Sequence, residues 1–115
     1  MSRILKGEIY LAELSPTVGS EISKKRPVLI VSNDINNKHA DTVSIVPITS
    51  TTAKIYPFEV FLPKGEGNLI NDSKAKCNQI RTIDKQRIQK KLGKISLEKL
   101  KEIEKAILIH LEIEI

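Results

Sequence analysis

Two residues able to do chemistry stand at matching places in the chain. Arg26 closes the loop-like stretch Gly19-Ser20-Glu21-Ile22-Ser23-Lys24-Lys25 and, with Pro27, opens the run VLIVSND, while Thr49 ends the mostly apolar run from Val43. A guanidinium stays charged at any cellular pH and forks onto two phosphate oxygens. An arginine held where a loop becomes a rigid strand therefore suits a phosphate or a phosphorane. A hydroxyl at the end of the next strand adds a hydrogen bond. Both residues also have ordinary uses, since Pro fixes the entry angle of a strand beside a solvated Arg, and Thr commonly ends strands. Spacing alone leaves both readings open.

The rest of the inventory narrows the chemistry. The two histidines are His39, in the polar run NNKHAD, and His110, beside an apolar stripe, and both read as structural. No HxxxH, CxxC or clustered Asp/Glu pattern supplies metal ligands. No Gly-rich phosphate loop of the P-loop or dinucleotide type occurs. The single cysteine, Cys77, falls within an expected strand with no base or helix start beside it, and reads as a small buried apolar residue. An enzyme so equipped is expected to need no metal, histidine or cofactor. RNA cleavage by the ribose 2′-hydroxyl fits that restriction, because the nucleophile arrives with the substrate and the protein must position it and stabilise charge.

Rigid elements must hold such a pair. The chain of 115 residues is long enough for one core and reads as a single domain, 1–115. GEIYL at 7–11 alternates as a half-buried strand with Ile9 and Leu11 inward. Val28 to Val31 and Val43 to Ile48 are apolar runs of the kind covered on both faces. Phe58 to Leu62 and Ala75 to Ile83 are the next strands, separated by the loop KGEGNLINDS. Short strands divided by turn signals indicate a small barrel in a mainly β, α+β fold. Ser96 is placed as the N-cap of a C-terminal helix whose stripe Leu97, Leu100, Ile103, Ile107 and Leu111 would lie over the barrel. A shorter helical turn is expected near Thr82 or Asp84.

Net charge is +5, and Lys74, Lys76, Arg81, Lys85, Arg87, Lys90, Lys91 and Lys94 crowd one segment that holds only Asp84 as a counter-charge. Such a cluster can draw in a polyanion, or can be a solvated basic face. The first residues carry no apolar core of the signal-peptide kind and no stretch reaches membrane-spanning length, so a cytoplasmic, membrane-free protein is expected. One cysteine excludes an internal disulfide.

Six segments in order, GEIYLAELSP at 7–16, Val18-Gly19-Ser20-Glu21, Arg26 to Asp34, Val46 to Ser50, Tyr56-Pro57-Phe58-Glu59-Val60 and QIRTIDKQRI at 79–88, resemble the MazF/PemK (Kid) toxin endoribonucleases of type II toxin–antitoxin systems. The last segment is most similar to MazF toxins of Gram-positive bacteria. The resemblance implies an SH3-like barrel of the CcdB/PemK type with a C-terminal α-helix, forming a homodimer. It implies metal-independent cutting of single-stranded RNA to 2′,3′-cyclic phosphate and 5′-hydroxyl ends, inhibiting translation and growth. On this chain it places the catalytic Arg at Arg26 and the catalytic Thr at Thr49, with Ser20, Glu21, Asn33 and Gln79 along the RNA. Glu21 is the matched carboxylate in the loop and so the candidate base. The implied partner is a MazE-like antitoxin with an acidic disordered tail, and a UACAU-like cut site is suggested.

The family often continues Gly-Ser-Glu with Gln and Gly; here Ile22-Ser23-Lys24-Lys25 intervenes, making the loop stiffer and more basic. Two other functions fit part of this pattern. A CcdB-like gyrase poison would share the barrel, but those toxins carry a Trp-bearing C-terminus whereas this chain has no Trp and ends EIEI. A noncatalytic nucleic-acid-binding module would keep the charge without needing Arg26 and Thr49 together.

Overall fold

The structure, a computed structural model, describes residues 3–114. Its elements follow in the order β1 (Glu8–Glu13), β2 (Lys25–Ile30), α1 (Asp34–His39), β3 (Thr42–Thr49), β4 (Glu59–Leu62), β5 (Ser73–Lys76), β6 (Arg81–Asp84), β7 (Ile88–Lys94) and α2 (Leu97–Leu111). Every pairing is antiparallel, in the order β4-β5-β3-β2-β1-β7, with β6 also paired to β3. The expected mainly β fold with a C-terminal helix is present. The sheet does not close into a full barrel, because among the described residues no ladder joins β7 to β4 at the opposite edge. Beside β7 lies instead the turn Glu66–Asn68: Asn68 donates to the Leu92 carbonyl (2.9 Å), and Glu66 accepts from the Ser96 N–H (2.8 Å). The approach is so close that a Cβ at Gly93 would collide with the Gly67 carbonyl.

Strand alternation sorts the core into two layers. Ile9, Leu29, Val46, Ile48, Leu62 and Ala75 meet Ile103 and Ala106 of α2 on one face, while Tyr10, Ala12, Val28, Ile30, Val43, Ile45 and Ile83 cluster on the other. That is why β2 and β3 read as unbroken apolar runs. β1 departs from its half-buried expectation, for Glu8 and Tyr10 are buried and Leu11 only partly so. Their polar atoms satisfy each other: the Tyr10 hydroxyl donates to Glu8 (2.8 Å), and Lys91 pairs with the same carboxylate.

Ser96 caps α2 by accepting from the Lys99 N–H, as its position required. The stripe is narrower than expected: Ile103 is buried and Leu100 and Ile107 pack partly, but Leu97 is 74% and Leu111 49% exposed. Only the middle turns of the helix reach the sheet. His39, expected in a loop, ends α1, whose N-terminus Asn33 caps by accepting from Asn36 N–H (2.8 Å). The expected turn near Asp84 is a 3-10 turn, Lys85–Arg87, capped by that aspartate.

The expected strand Ala75–Ile83 is interrupted. β5 and β6 both pair with the same edge of β3, and the 3-10 turn Cys77–Gln79 lies between them. Ile45 faces Arg81 where an unbroken ladder would give it Asn78, so the turn is a three-residue bulge. Pro47 fits the gap this leaves in β3. The bond from Val31 N–H to the Ser44 carbonyl makes Val28–Pro47 a non-hydrogen-bonded pair, so the missing N–H of Pro47 would have faced the bulge. No helix among the described residues is long and apolar enough to cross a membrane.

Candidate active site

The register aligns the two residues singled out by type. Val28–Pro47 is the last pair of the β2–β3 ladder, and the same register continued by one non-bonded pair would bring Arg26 opposite Thr49. Such pairs have Cα atoms about 4.5 Å apart and side chains on one face. Neighbouring strands extend the row, for Ala12 pairs with Arg26, Thr49 with Lys74, and Lys74 with Phe61. Ala12 and Val28 place this row on the face of the Tyr10 core layer, where the aliphatic cluster ends and polar groups begin.

Arg26 is half-buried, and its Nε donates to the Ser23 carbonyl (3.1 Å). That single tether orients the guanidinium and leaves the two Nη groups without a hydrogen-bond partner among the described residues. Thr49 is also half-buried, its Oγ1 accepting from Thr51 N–H (3.3 Å). Lys74 is buried and donates to Glu59 (3.0 Å) and to the Lys54 carbonyl (2.8 Å). Burial opposes the charge of Glu59, yet the Tyr56 N–H together with Lys74 and Lys76 outweighs it and holds this carboxyl below its ordinary range.

The loop between β1 and β2 carries Ser20 and Glu21, both exposed. Glu21 accepts the Val18 N–H (2.7 Å), closing a local turn. Gln79, presented by the bulge, accepts from Ile22 N–H (2.7 Å) and donates to the Ser20 carbonyl (3.4 Å). Ser20, Glu21 and Gln79 thus line one cleft of about 350 Å³ with Asn78 and Arg81. Asn33 does not join them within one protomer. It follows the far end of β2 from Arg26, on the order of 20 Å along the chain, and lines a separate 660 Å³ cleft beside α2.

The basic segment, read as a polyanion-binding cluster or a solvated face, is largely tied to the protein itself. Arg81 donates to the Leu14 carbonyl (3.4 Å), and Arg87 to those of Glu13 (3.1 Å) and Ser15 (2.6 Å), so two arginines pin the root of the Ser20–Glu21 loop. Lys85 holds the Asn37 carbonyl (2.6 Å), Lys91 pairs with Glu8, and Lys74 and Lys76 face Glu59. Of the eight residues expected as a free basic surface, only Lys90 and Lys94 have no such partner among the described residues. Cys77 begins the bulge rather than sitting in a strand, and is fully buried. Burial, and then the charge of Glu59, push its thiol up to about 12, so it is no nucleophile at neutral pH. No group of three His, Cys, Asp or Glu side chains gathers as a metal site among the described residues.

A small antiparallel sheet with a helix over one face, and Arg26 and Thr49 where the other face turns polar, define a compact, mainly β protein. The chain belongs to the family of PemK-like, MazF-like toxins of type II toxin–antitoxin systems, which matches residues 5–111. Endoribonuclease MazF9 of Mycobacterium tuberculosis (strain ATCC 25618 / H37Rv) is 37% identical over 113 residues, covering 94% of this chain and 96% of that protein. The enzyme class that comes with this membership is endoribonuclease. The fold is shared with MazF from Deinococcus radiodurans (TM-score 0.86, 24% identity, 97% of this chain and 99% of that one). It is shared also with a mycobacterial endoribonuclease solved in complex with its cognate antitoxin (TM-score 0.81, 24% identity, 97% and 98% covered).

Proposed function

We propose that this toxin cuts single-stranded RNA without a metal ion, using the substrate's own 2′-hydroxyl. The observation that supports this reading is the β2–β3 register, whose continuation past its last pair, Val28–Pro47, would bring Arg26 to Thr49 at the polar end of the sheet face. The 2′-oxygen attacks the adjacent phosphorus, the bond to the 5′-oxygen breaks, and a 2′,3′-cyclic phosphate and a 5′-hydroxyl result. The Nη fork of Arg26 binds the non-bridging oxygens as charge builds on the phosphorane. Thr49 donates a hydrogen bond to the same group. Glu21 is the candidate acceptor of the 2′-proton, and Arg26 the candidate donor to the departing 5′-oxygen.

Ser20, Glu21 and Gln79 form one edge of the RNA path, and Asn33 belongs to it only if the path continues onto a second protomer. A homodimer supplies that continuation. An antitoxin with an acidic, apolar-studded tail suits a chain of net charge +5 and would cover the same path. One assay tests the chemistry: single-stranded RNA in EDTA beside a copy with deoxyribose at the cut nucleotide. Cleavage of the first alone, with cyclic-phosphate ends, is expected; no cleavage by the folded protein refutes the proposal. In the same assay Glu21→Gln should lose the acid limb of the pH–rate profile, and an unchanged profile removes Glu21 as the base.

A further inference from the structure

The chain has two Tyr, two Phe and no Trp, and three of these four aromatic residues fall between positions 56 and 61. The fourth, Tyr10, is in the core. Aromatic rings are the largest apolar groups a chain can bury, yet here an otherwise aliphatic core leaves Tyr56 42% and Phe61 38% exposed. They are held in order. The Tyr56 and Phe58 rings are stacked, centroids 5.3 Å apart and 4° from parallel, and the Lys54 ammonium lies 4.6 Å over the Tyr56 ring.

Buried charge fixes this segment to the active row. Glu59 accepts from Tyr56 N–H (3.0 Å), and Lys74 donates to both Glu59 and the Lys54 carbonyl. Lys74 is itself the strand neighbour of Thr49, and Phe61 ends the same row. Tyr56 is thus tied through Glu59 and Lys74 to the strand neighbour of the proposed catalytic threonine, beside the exposed Lys54. We propose that Tyr56, backed by Phe58, is a stacking platform for the base of a nucleotide flanking the scissile phosphate. This rests on the RNA-cutting reading above. An exposed cation–π contact is the weaker of the two against a base stacked on an aromatic ring. An arriving base therefore displaces Lys54, whose ammonium then follows the phosphate. Stacking tolerates any base, so the platform sets where the strand lies more than which sequence is cut.

The test begins by mapping a cut site on a long transcript. Short single-stranded RNAs spanning it, each with one abasic nucleotide, are then assayed with wild type, Tyr56→Ala and Tyr56→Trp. For intact RNA, Tyr56→Ala should raise KM about tenfold with kcat within about twofold, while Tyr56→Trp keeps the wild-type KM. One abasic position beside the cut should weaken wild type by a similar factor and leave Tyr56→Ala unaffected. An unchanged KM in Tyr56→Ala, or equal abasic penalties in both proteins, overturns the platform while leaving the ribonuclease reading intact. If Tyr56→Ala loses only antitoxin binding, the rings serve a protein partner and the proposal is wrong. A wild type that cuts no RNA defeats the earlier reading and this one together.

Discussion

Arg26 owes its suitability to what its neighbours leave free. One carbonyl, that of Ser23, takes Nε, and no other hydrogen-bond partner occurs among the described residues, so the planar fork is oriented but unspent. A lysine at this place would keep the charge and lose both the tether and the two-pronged contact. Arg26→Lys is accordingly expected to lower kcat by about 10²-fold or more while leaving the thermal midpoint unchanged, since the side chain is partly exposed and fills no core space. Steady-state cleavage beside a melting curve decides this, and a variant within tenfold of wild type would contradict it. The segment Ile22–Lys25 before Arg26 also has a physical reading. Ile22 packs against the Tyr10 core layer, and Lys24 adopts φ 69°, the left-handed region where glycine is at ease. Packing of Ile22 ties this part of the loop to the core.

At the scale of elements, the bulge and the β4–β5 pair shape the site. The bulge brings Gln79 to the Ser20–Glu21 loop and leaves Arg81 to hold its root. The β4–β5 pair carries the Glu59–Lys74 bond, which ties the segment after Thr49. Glu59→Gln leaves the Lys74 ammonium buried without its counter-charge, a change expected to cost about 3 kcal/mol in urea denaturation at pH 7. Because the folded Glu59 carboxyl lies below its ordinary 4.5, its contribution is complete above that value and is lost as pH falls through the lowered one. The gap between wild type and Glu59→Gln should therefore narrow at pH 3.5; a constant gap would mean the pair is not what stabilises the segment. How much of this was legible follows from range. The paired apolar runs of β2 and β3 and the Ser96 cap are local patterns, and they read correctly. The bulge was not readable, because AKCNQIRTI is uniformly strand-like and only its partner β3, with Pro47, shows where three residues must loop out. α1 hid in a polar run too short to show periodicity.

Considered whole, the molecule spends its charge internally. Composition alone suggested a broad cationic surface for a polyanion, but Arg81 and Arg87 reach carbonyls more than sixty residues away, and Lys74, Lys76 and Lys91 face buried carboxylates. No sequence window contains such pairings, which is why the basic segment could be counted but not assigned. The consequence is measurable, because each phosphate neutralised by a free cation releases counterions and steepens the salt dependence of binding, by about 0.7 per phosphate for a single strand. If all eight residues of the basic segment met phosphate together with Arg26, Lys54 and the exposed Lys24 and Lys25 of the neighbouring loop, the slope of log K against log salt would be roughly −8 per protomer. With only Lys90 and Lys94 of the segment unpartnered, about six of these contacts remain, and the slope should be about −4. Binding of an uncleavable single-stranded RNA to the intact protein, titrated between 50 and 200 mM salt (roughly the range over which such slopes are read), separates the two. A slope near the steeper value would show that the internal ties open to the strand, and that the structure's accounting of its own charge does not survive contact with RNA.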